Sequence, residues 1–167
     1  MPKKPERIYW DSCVYISCIE KTPERYPVLR DILDDAESGK VLFVASAFII
    51  AEVNKFDDPT ASAAEQAEKL RKFFENDYIE IRAMDRRTAE LAADISRTHR
   101  IKPPDAVHVA TAILSQCSCL QTYDGDKGEA RKLLAFNAKI GSPPLTIEVP
   151  QVRSNPDQSI LPGMDEK

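Results

Sequence analysis

Apolar positions recur at helical spacing in some stretches and as unbroken runs in others, and the two patterns alternate along the chain. Val28, Leu29, Ile32, Leu33 and Ala36 share one face of a helix predicted from Pro23 to Ser38 and stopped by Gly39. Directly after it, Val41 to Val44 is a continuous apolar run, the pattern of a strand covered on both faces. The same alternation begins earlier, where Ile8-Tyr9-Trp10 reads as a strand ending at Asp11-Ser12, with a helix from Cys13 to Ile19. It continues with Ser46 at the head of a short apolar helix, Ala47 to Val53, and with a long surface helix from Ala61 to Asn76. Tyr78 to Ile81 is a brief strand, and Asp85 caps a helix that buries Ala89, Leu91, Ala92 and Ile95. Pro103-Pro104 opens another helix, Cys117 to Tyr123 reads as a strand, Glu129 to Leu134 as a helical stretch, and Leu145 to Val149 as the last strand. Strands alternating with helices predict an α/β fold, a three-layer α/β/α sandwich with a mainly parallel sheet and right-handed crossovers.

At 167 residues the chain fits one domain, expected over residues 1–150, with residues 151–167 as a tail that is disordered or forms an extended arm on a neighbour. A hydrophobic fraction of 43% beside 30% charged residues is that of a chain that folds by itself. Only 5 glycines, and neither a Walker-type nor a G-x-G-x-x-G pattern, argue against a phosphate-cradling loop. The cysteines, Cys13, Cys18, Cys117 and Cys119, show no C-x-x-C spacing and read as reduced, mostly buried thiols. No apolar run reaches the length of a membrane span and the N-terminus lacks a secretory core, so the expected compartment is the cytoplasm, without membrane contact. With a net charge of −4 nothing global draws in a polyanion, and nucleic-acid binding would need a local basic patch or bridging cations.

The acids change the picture. Asp11 and Asp124 both follow strands, and in a parallel sheet the strand C-termini share one edge, where open α/β folds place their chemistry. Glu52 interrupts an apolar helix, and Asp105 sits in the opening turn of the Pro103-Pro104 helix, whose Ala106, Ala110 and Ala112 permit close packing. Each has a plain structural reading beside the functional one: Asp11 or Ser12 as a helix cap, Glu52 on a solvated face, Asp105 as a partner of the helix dipole. Four acids from four distant places meeting at one edge would repel one another and raise their own pKa values. A hard divalent cation with oxygen ligands relieves that repulsion, and Mg²⁺ or Mn²⁺ suits the donor set. Arg97, His99, Arg100 and Lys102 form a basic patch before Pro103, or else cap the preceding helix.

Asp11-Ser12 after the first strand, the Ser46 helix with Glu52, Pro104-Asp105-Ala106 with its alanine-rich helix, and Thr122-Tyr123-Asp124-Gly125-Asp126 occur in an order and spacing that resembles the PIN-domain ribonucleases, including VapC-type toxins of toxin–antitoxin pairs. The likeness spans about residues 7–149. It implies a single α/β/α domain that cleaves RNA with a divalent metal, water attacking in line and a 3′-hydroxyl leaving. By family position Asp11, Glu52, Asp105 and Asp124 would be the metal-site acids, Asp126 an additional ligand, Thr122 the hydroxyl that orients the cluster, and Ser12 a further supporting donor. Arg97, Arg100, Lys102, Lys127 and Arg131 would guide the RNA backbone, an antitoxin protein would be a partner, and the toxin would be a homodimer. His108 is read as a packed or hydrogen-bonded residue. The competing reading is a catalytically weak PIN-like module that binds RNA or protein. A phosphoacceptor signalling domain is less suited, because paired acids after the first strand are missing.

Overall fold

A computed structural model of the chain describes residues 3–153. The part of the predicted tail from residue 154 onward lies outside the described residues. Strand β1 (Glu6–Trp10) leads into helix α1 (Ser12–Ile19), α2 (Tyr26–Glu37), β2 (Val41–Ser46) and α3 (Ala47–Glu52). Then follow α4 (Ala63–Phe74), β3 (Ile79–Arg82), α5 (Arg86–His99), α6 (Pro103–Leu114), β4 (Cys119–Gln121), a 3₁₀ turn (Leu133–Phe136) and β5 (Thr146–Glu148). The sheet has five strands in the order β3-β2-β1-β4-β5, every pairing parallel, as the alternating pattern predicts.

This order has one reversal. The chain steps outward from β1 to β2 to β3, then returns through α5 and α6 to place β4 on the other side of β1. The gap between the C-terminal ends of β1 and β4 is therefore the switch point, the crevice in which open parallel sheets bind ligands. Side chains of β1 alternate across the sheet. Trp10 packs its ring on Tyr15 of α1 and Phe43 of β2, whereas Tyr9, also fully buried, turns to the opposite layer and meets His108 of α6. Ala106, Val109, Ala110 and Ala112 are wholly buried on α6, so this helix lies close against the sheet.

Caps define most helix starts. Asp11 accepts from Val14 N at the head of α1, Ser46 from Phe48 N at α3, and Asp85 from Thr88 N at α5. Ser62 and Glu65 form a reciprocal capping box that starts α4 two residues later than the sequence pattern predicts. One expected element is different: Glu129 to Leu134 is not a helix. Arg131 has a φ of 65°, which an α-helix cannot contain, and only the 3₁₀ turn from Leu133 forms. The backbone N–H groups there are drawn to Asp124, Leu133 N to its Oδ2 at 3.0 Å and Leu134 N to its carbonyl at 3.1 Å.

Candidate active site at the β1–β4 edge

Asp11 caps α1 and faces the switch point at the same time. Its carboxylate is 5% exposed and takes donors on both oxygens. Oδ1 accepts from the Cys13 thiol at 2.8 Å and from Val14 N at 3.3 Å, and Oδ2 accepts from the Thr122 hydroxyl at 2.6 Å. Thr122, fully buried just past β4, in turn accepts from Asp124 N at 2.9 Å through the same hydroxyl oxygen. One hydroxyl thus links the residue that ends β1 to the residue that follows β4. Burial pushes the Asp11 carboxyl above its ordinary pKa, while Cys13, Thr122, the nearby His108 and Val14 N pull it back.

Asp124 is held by Leu133 N and lies 3.4 Å from Lys132 Nζ. That return of the chain requires Gly125, whose φ is +95° and where a Cβ would come within 2.7 Å of Lys132 Cβ. Asp105, half-buried in the first turn of α6, has its pKa raised by burial first and then by the neighbouring charge of Asp124. Asp11 adds to the rise, and His108 and Lys132 oppose it. Asp105 therefore feels the charges of both other acids. That is the repulsion expected where carboxylates converge.

Glu52 ends α3 on a different footing. Its Oε2 is buried and has no hydrogen-bond donor aligned on it, although His108 Nε2 lies 2.8 Å away. A buried carboxylate oxygen without a donor is costly unless a cation completes its surroundings. This orphaned oxygen and the mutually repelling carboxyls fit a hard divalent ion, which oxygen donors of this type suit. The fit is not that of a finished cage: among the described residues no three His, Cys, Asp or Glu side chains stand ready to hold a metal ion.

The remaining predicted residues lie around this centre in several ways. Asp126 is ion-paired with Arg25, whose guanidinium stacks 3.9 Å from the Tyr123 ring centre and donates to Ser17 Oγ. Ser12 is the first residue of α1, and the donor onto Asp11 from this segment is the next side chain, Cys13. Arg97 is bound to Asp94 on the surface of α5. Arg100 ends α5 in a left-handed conformation, Lys102 precedes α6 as its cap residue, and both are exposed, as are Lys127 and Arg131.

Sequence reasoning missed Cys13, Lys132 and Arg25. Cys13 carried a local signal, since a donor two residues after an aspartate is placed to bond its side chain. Lys132 and Arg25 carried none, being brought in by a loop reversal and by the turn before α2. His108 is 2% exposed and hydrogen-bonded to Tyr9, in keeping with its reading from the sequence.

The sequence model of one family, the PIN domain, matches residues 8–133, from β1 to the start of the 3₁₀ turn. This chain belongs to the PIN domain family. No curated protein matches it in sequence. Solved PIN-like structures resemble its fold. VapBC2 from Rickettsia felis, bound to a DNA fragment from its promoter, is 15% identical, with a TM-score of 0.56 over 73% of this chain and 91% of that one. VapC20 from Mycobacterium tuberculosis, described as a sarcin-ricin loop cleaving toxin, is 13% identical, with a TM-score of 0.56 over 75% and 96% of the two chains. FitAcB from Neisseria gonorrhoeae is 21% identical, with a TM-score of 0.53 over 86% and 97%. At these identities the likeness is one of fold. Of the four sequence-predicted acids of this PIN chain, Asp11 and Asp124 follow β1 and β4, Glu52 is the last residue of α3, and Asp105 lies in the first turn of α6. No helix among its described residues is long and apolar enough to cross a membrane.

Proposed function

We propose that this PIN domain is a metal-dependent endoribonuclease, the toxin of a toxin–antitoxin pair. One observation carries the reading: Thr122 binds Asp11 and Asp124 together at the switch point while Asp105 faces both charges. Asp11, Glu52, Asp105 and Asp124 would hold Mg²⁺ or Mn²⁺, with Asp126 able to join once released from Arg25. When bound, such an ion supplies a water of lowered pKa and neutralises charge at the scissile phosphate. The chain's own residues do the positioning. The Thr122 hydroxyl, the Cys13 thiol and Val14 N fix the Asp11 carboxylate in one rotamer, and Leu133 N fixes Asp124. Lys132 lowers the local negative charge that would otherwise repel a phosphodiester. Water attacks phosphorus in line and the 3′-hydroxyl leaves. Arg100, Lys102, Lys127 and Arg131, all exposed, are suited to backbone phosphates, with Arg97 available if Asp94 lets go.

The toxin role rests on the family and on neighbours such as VapBC2, whose description joins toxin and antitoxin. An antitoxin partner, a homodimer, a cytoplasmic location and a single folded unit over residues 1–150 belong to the same proposal. The test is cleavage of structured and single-stranded RNA by purified protein with Mg²⁺, with Mn²⁺ and with chelator. Cleavage that needs the ion and is lost in Asp11→Asn and Asp105→Asn supports the nuclease. Undiminished RNA binding without cleavage in either ion would establish the alternative, a PIN-like binding module.

A further inference from the structure

Tyr9 and His108 are both almost wholly buried, yet each carries polar atoms, and those atoms form a chain leading to Glu52. The Tyr9 hydroxyl oxygen accepts from Ser46 N at 3.3 Å, the residue that caps α3. On its other side the hydroxyl lies 2.7 Å from His108 Nδ1. Burial holds the Tyr9 phenol protonated, so with Ser46 N donating to its oxygen, its own proton goes to Nδ1. An imidazole that accepts at Nδ1 carries its hydrogen on Nε2, the nitrogen 2.8 Å from Glu52 Oε2. The ring has little freedom to turn away, being packed between Tyr9 and Phe48, with centroids 5.7 Å and 6.1 Å distant.

We propose that His108 is a positioning residue for Glu52, with the Tyr9 hydroxyl fixing the imidazole from one side and Nε2 fixing the carboxylate from the other. The chain ties four elements, β1, the end of β2, α3 and α6, to one carboxylate at the sheet edge. It solves a particular difficulty of this site. Asp11 is held by three donors from its own helix and from Thr122, whereas Glu52 stands at the last residue of a six-residue helix, with His108 Nε2 2.8 Å from a buried oxygen on which no donor is aligned. A histidine used only to fill the core would not need the tyrosine hydroxyl, and a phenylalanine would serve in its place. The inference rests on the metal-dependent reading for the importance of Glu52, but not for the chain of contacts itself.

The test has two arms on the full-length protein. In the first, nitrogen NMR of the His108 ring is recorded without metal. The expected spectrum shows Nε2 protonated and Nδ1 as an acceptor, with the Nε2 resonance moved by Glu52→Gln and the Nδ1 resonance moved by Tyr9→Phe. In the second, Mn²⁺ affinity is measured by calorimetry beside the melting temperature. His108→Phe is expected to weaken Mn²⁺ binding about 10-fold or more, the loss usual for partners that orient ligands. The double variant Glu52→Gln/His108→Phe should bind no more weakly than Glu52→Gln alone. His108→Gln, which keeps a donor, should recover part of the loss and serves if the phenylalanine variant does not fold. Ring resonances indifferent to Glu52→Gln would overturn the positioning role. So would wild-type Mn²⁺ affinity in a folded His108→Phe protein. If the wild type binds no Mn²⁺, the metal-dependent reading fails, and the ring resonances still decide whether His108 holds Glu52.

Discussion

Asp11 and Glu52 stand at the same sheet edge, but the fold treats them in opposite ways. Asp11 follows the central strand, is buried, and has both oxygens occupied by donors from Cys13, Val14 and Thr122. Glu52 ends the shortest α-helix among the described residues and keeps a buried oxygen with no aligned donor. The first has an aligned donor on each oxygen, and the second has His108 Nε2 near its buried oxygen but no donor aligned on it. In the proposed metal site, one carboxylate with its donors in place and one without would suit an ion that is both accepted and released, since an ion held by preformed donors on every side would have nothing left to organise.

The comparison is broken most severely by removing the fixed acid. Asp11→Asn should lower RNA cleavage by more than the 10–100-fold that follows loss of a partner merely orienting a ligand. The measurement is single-turnover cleavage in Mn²⁺. The melting temperature should change little, because an asparagine can still cap α1 and accept from Val14 N. If Asp11→Asn retained wild-type rates, the central position of this residue would be wrong.

Thr122→Val comes next. The replacement has nearly the same shape but leaves Asp11 Oδ2 and Asp124 N without the hydroxyl that joins them. Each unsatisfied buried group costs about 1–3 kcal/mol, so with two groups affected denaturant unfolding should show a loss of about 2–6 kcal/mol. Cleavage should fall by about 10–100-fold even at temperatures where the variant is folded. A variant destabilised but fully active would reduce Thr122 to a fold element.

The sequence revealed the layers, the parallel strands and the positions of Asp11, Glu52, Asp105 and Asp124, because hydrophobic period and strand ends are local signals. Pro103 and Pro104 predict Asp105 in the first turn of α6, where it lies. The contacts at the edge are less legible. Thr122 enters by family position, and nothing in its spacing tells that its hydroxyl reaches Asp11, 111 positions away. The stretch from Glu129 misled because its composition favours a helix, while Gly125 and the left-handed Arg131 turn the backbone so that Asp124 captures its N–H groups. Tertiary demand on backbone donors outweighed local propensity there. Lys132 arrived beside Asp124 through the same reversal, which no periodicity encodes.

Asp105 gives a test in pH. Its pKa is raised by burial and then by Asp124 and Asp11, so in the folded protein it binds its proton more tightly than in the unfolded chain. Between the unfolded and folded pKa values the native state holds more protons, and stability therefore falls as pH rises through that window. Above it the full penalty remains. Asp105→Asn should accordingly raise the melting temperature of the metal-free protein at neutral pH and flatten its decline between acid and neutral pH. Added Mn²⁺ should stabilise the wild type more than the variant, by mass action on the native state. A variant whose pH profile matches wild type would show that Asp105 is spared the charges of its neighbours.

The smallest effect separates the edge from the outer surface. Arg97 is paired with Asp94 three residues away on an exposed face of α5, an arrangement worth less than about 1 kcal/mol. Lys132 is half-buried against Asp124 at the crevice itself. Arg97→Ala should leave melting temperature and cleavage in Mn²⁺ close to wild type and weaken RNA binding only slightly, with a shallower salt dependence if it touches phosphate. Lys132→Ala should lower cleavage several-fold at low salt, since it removes the cation 3.4 Å from Asp124 while the backbone bond from Leu133 N to Asp124 stays. Equal losses in the two variants would mean that RNA is guided by the basic surface before α6 as strongly as by the crevice, and the line drawn between a working edge and a solvated face would have to move outward.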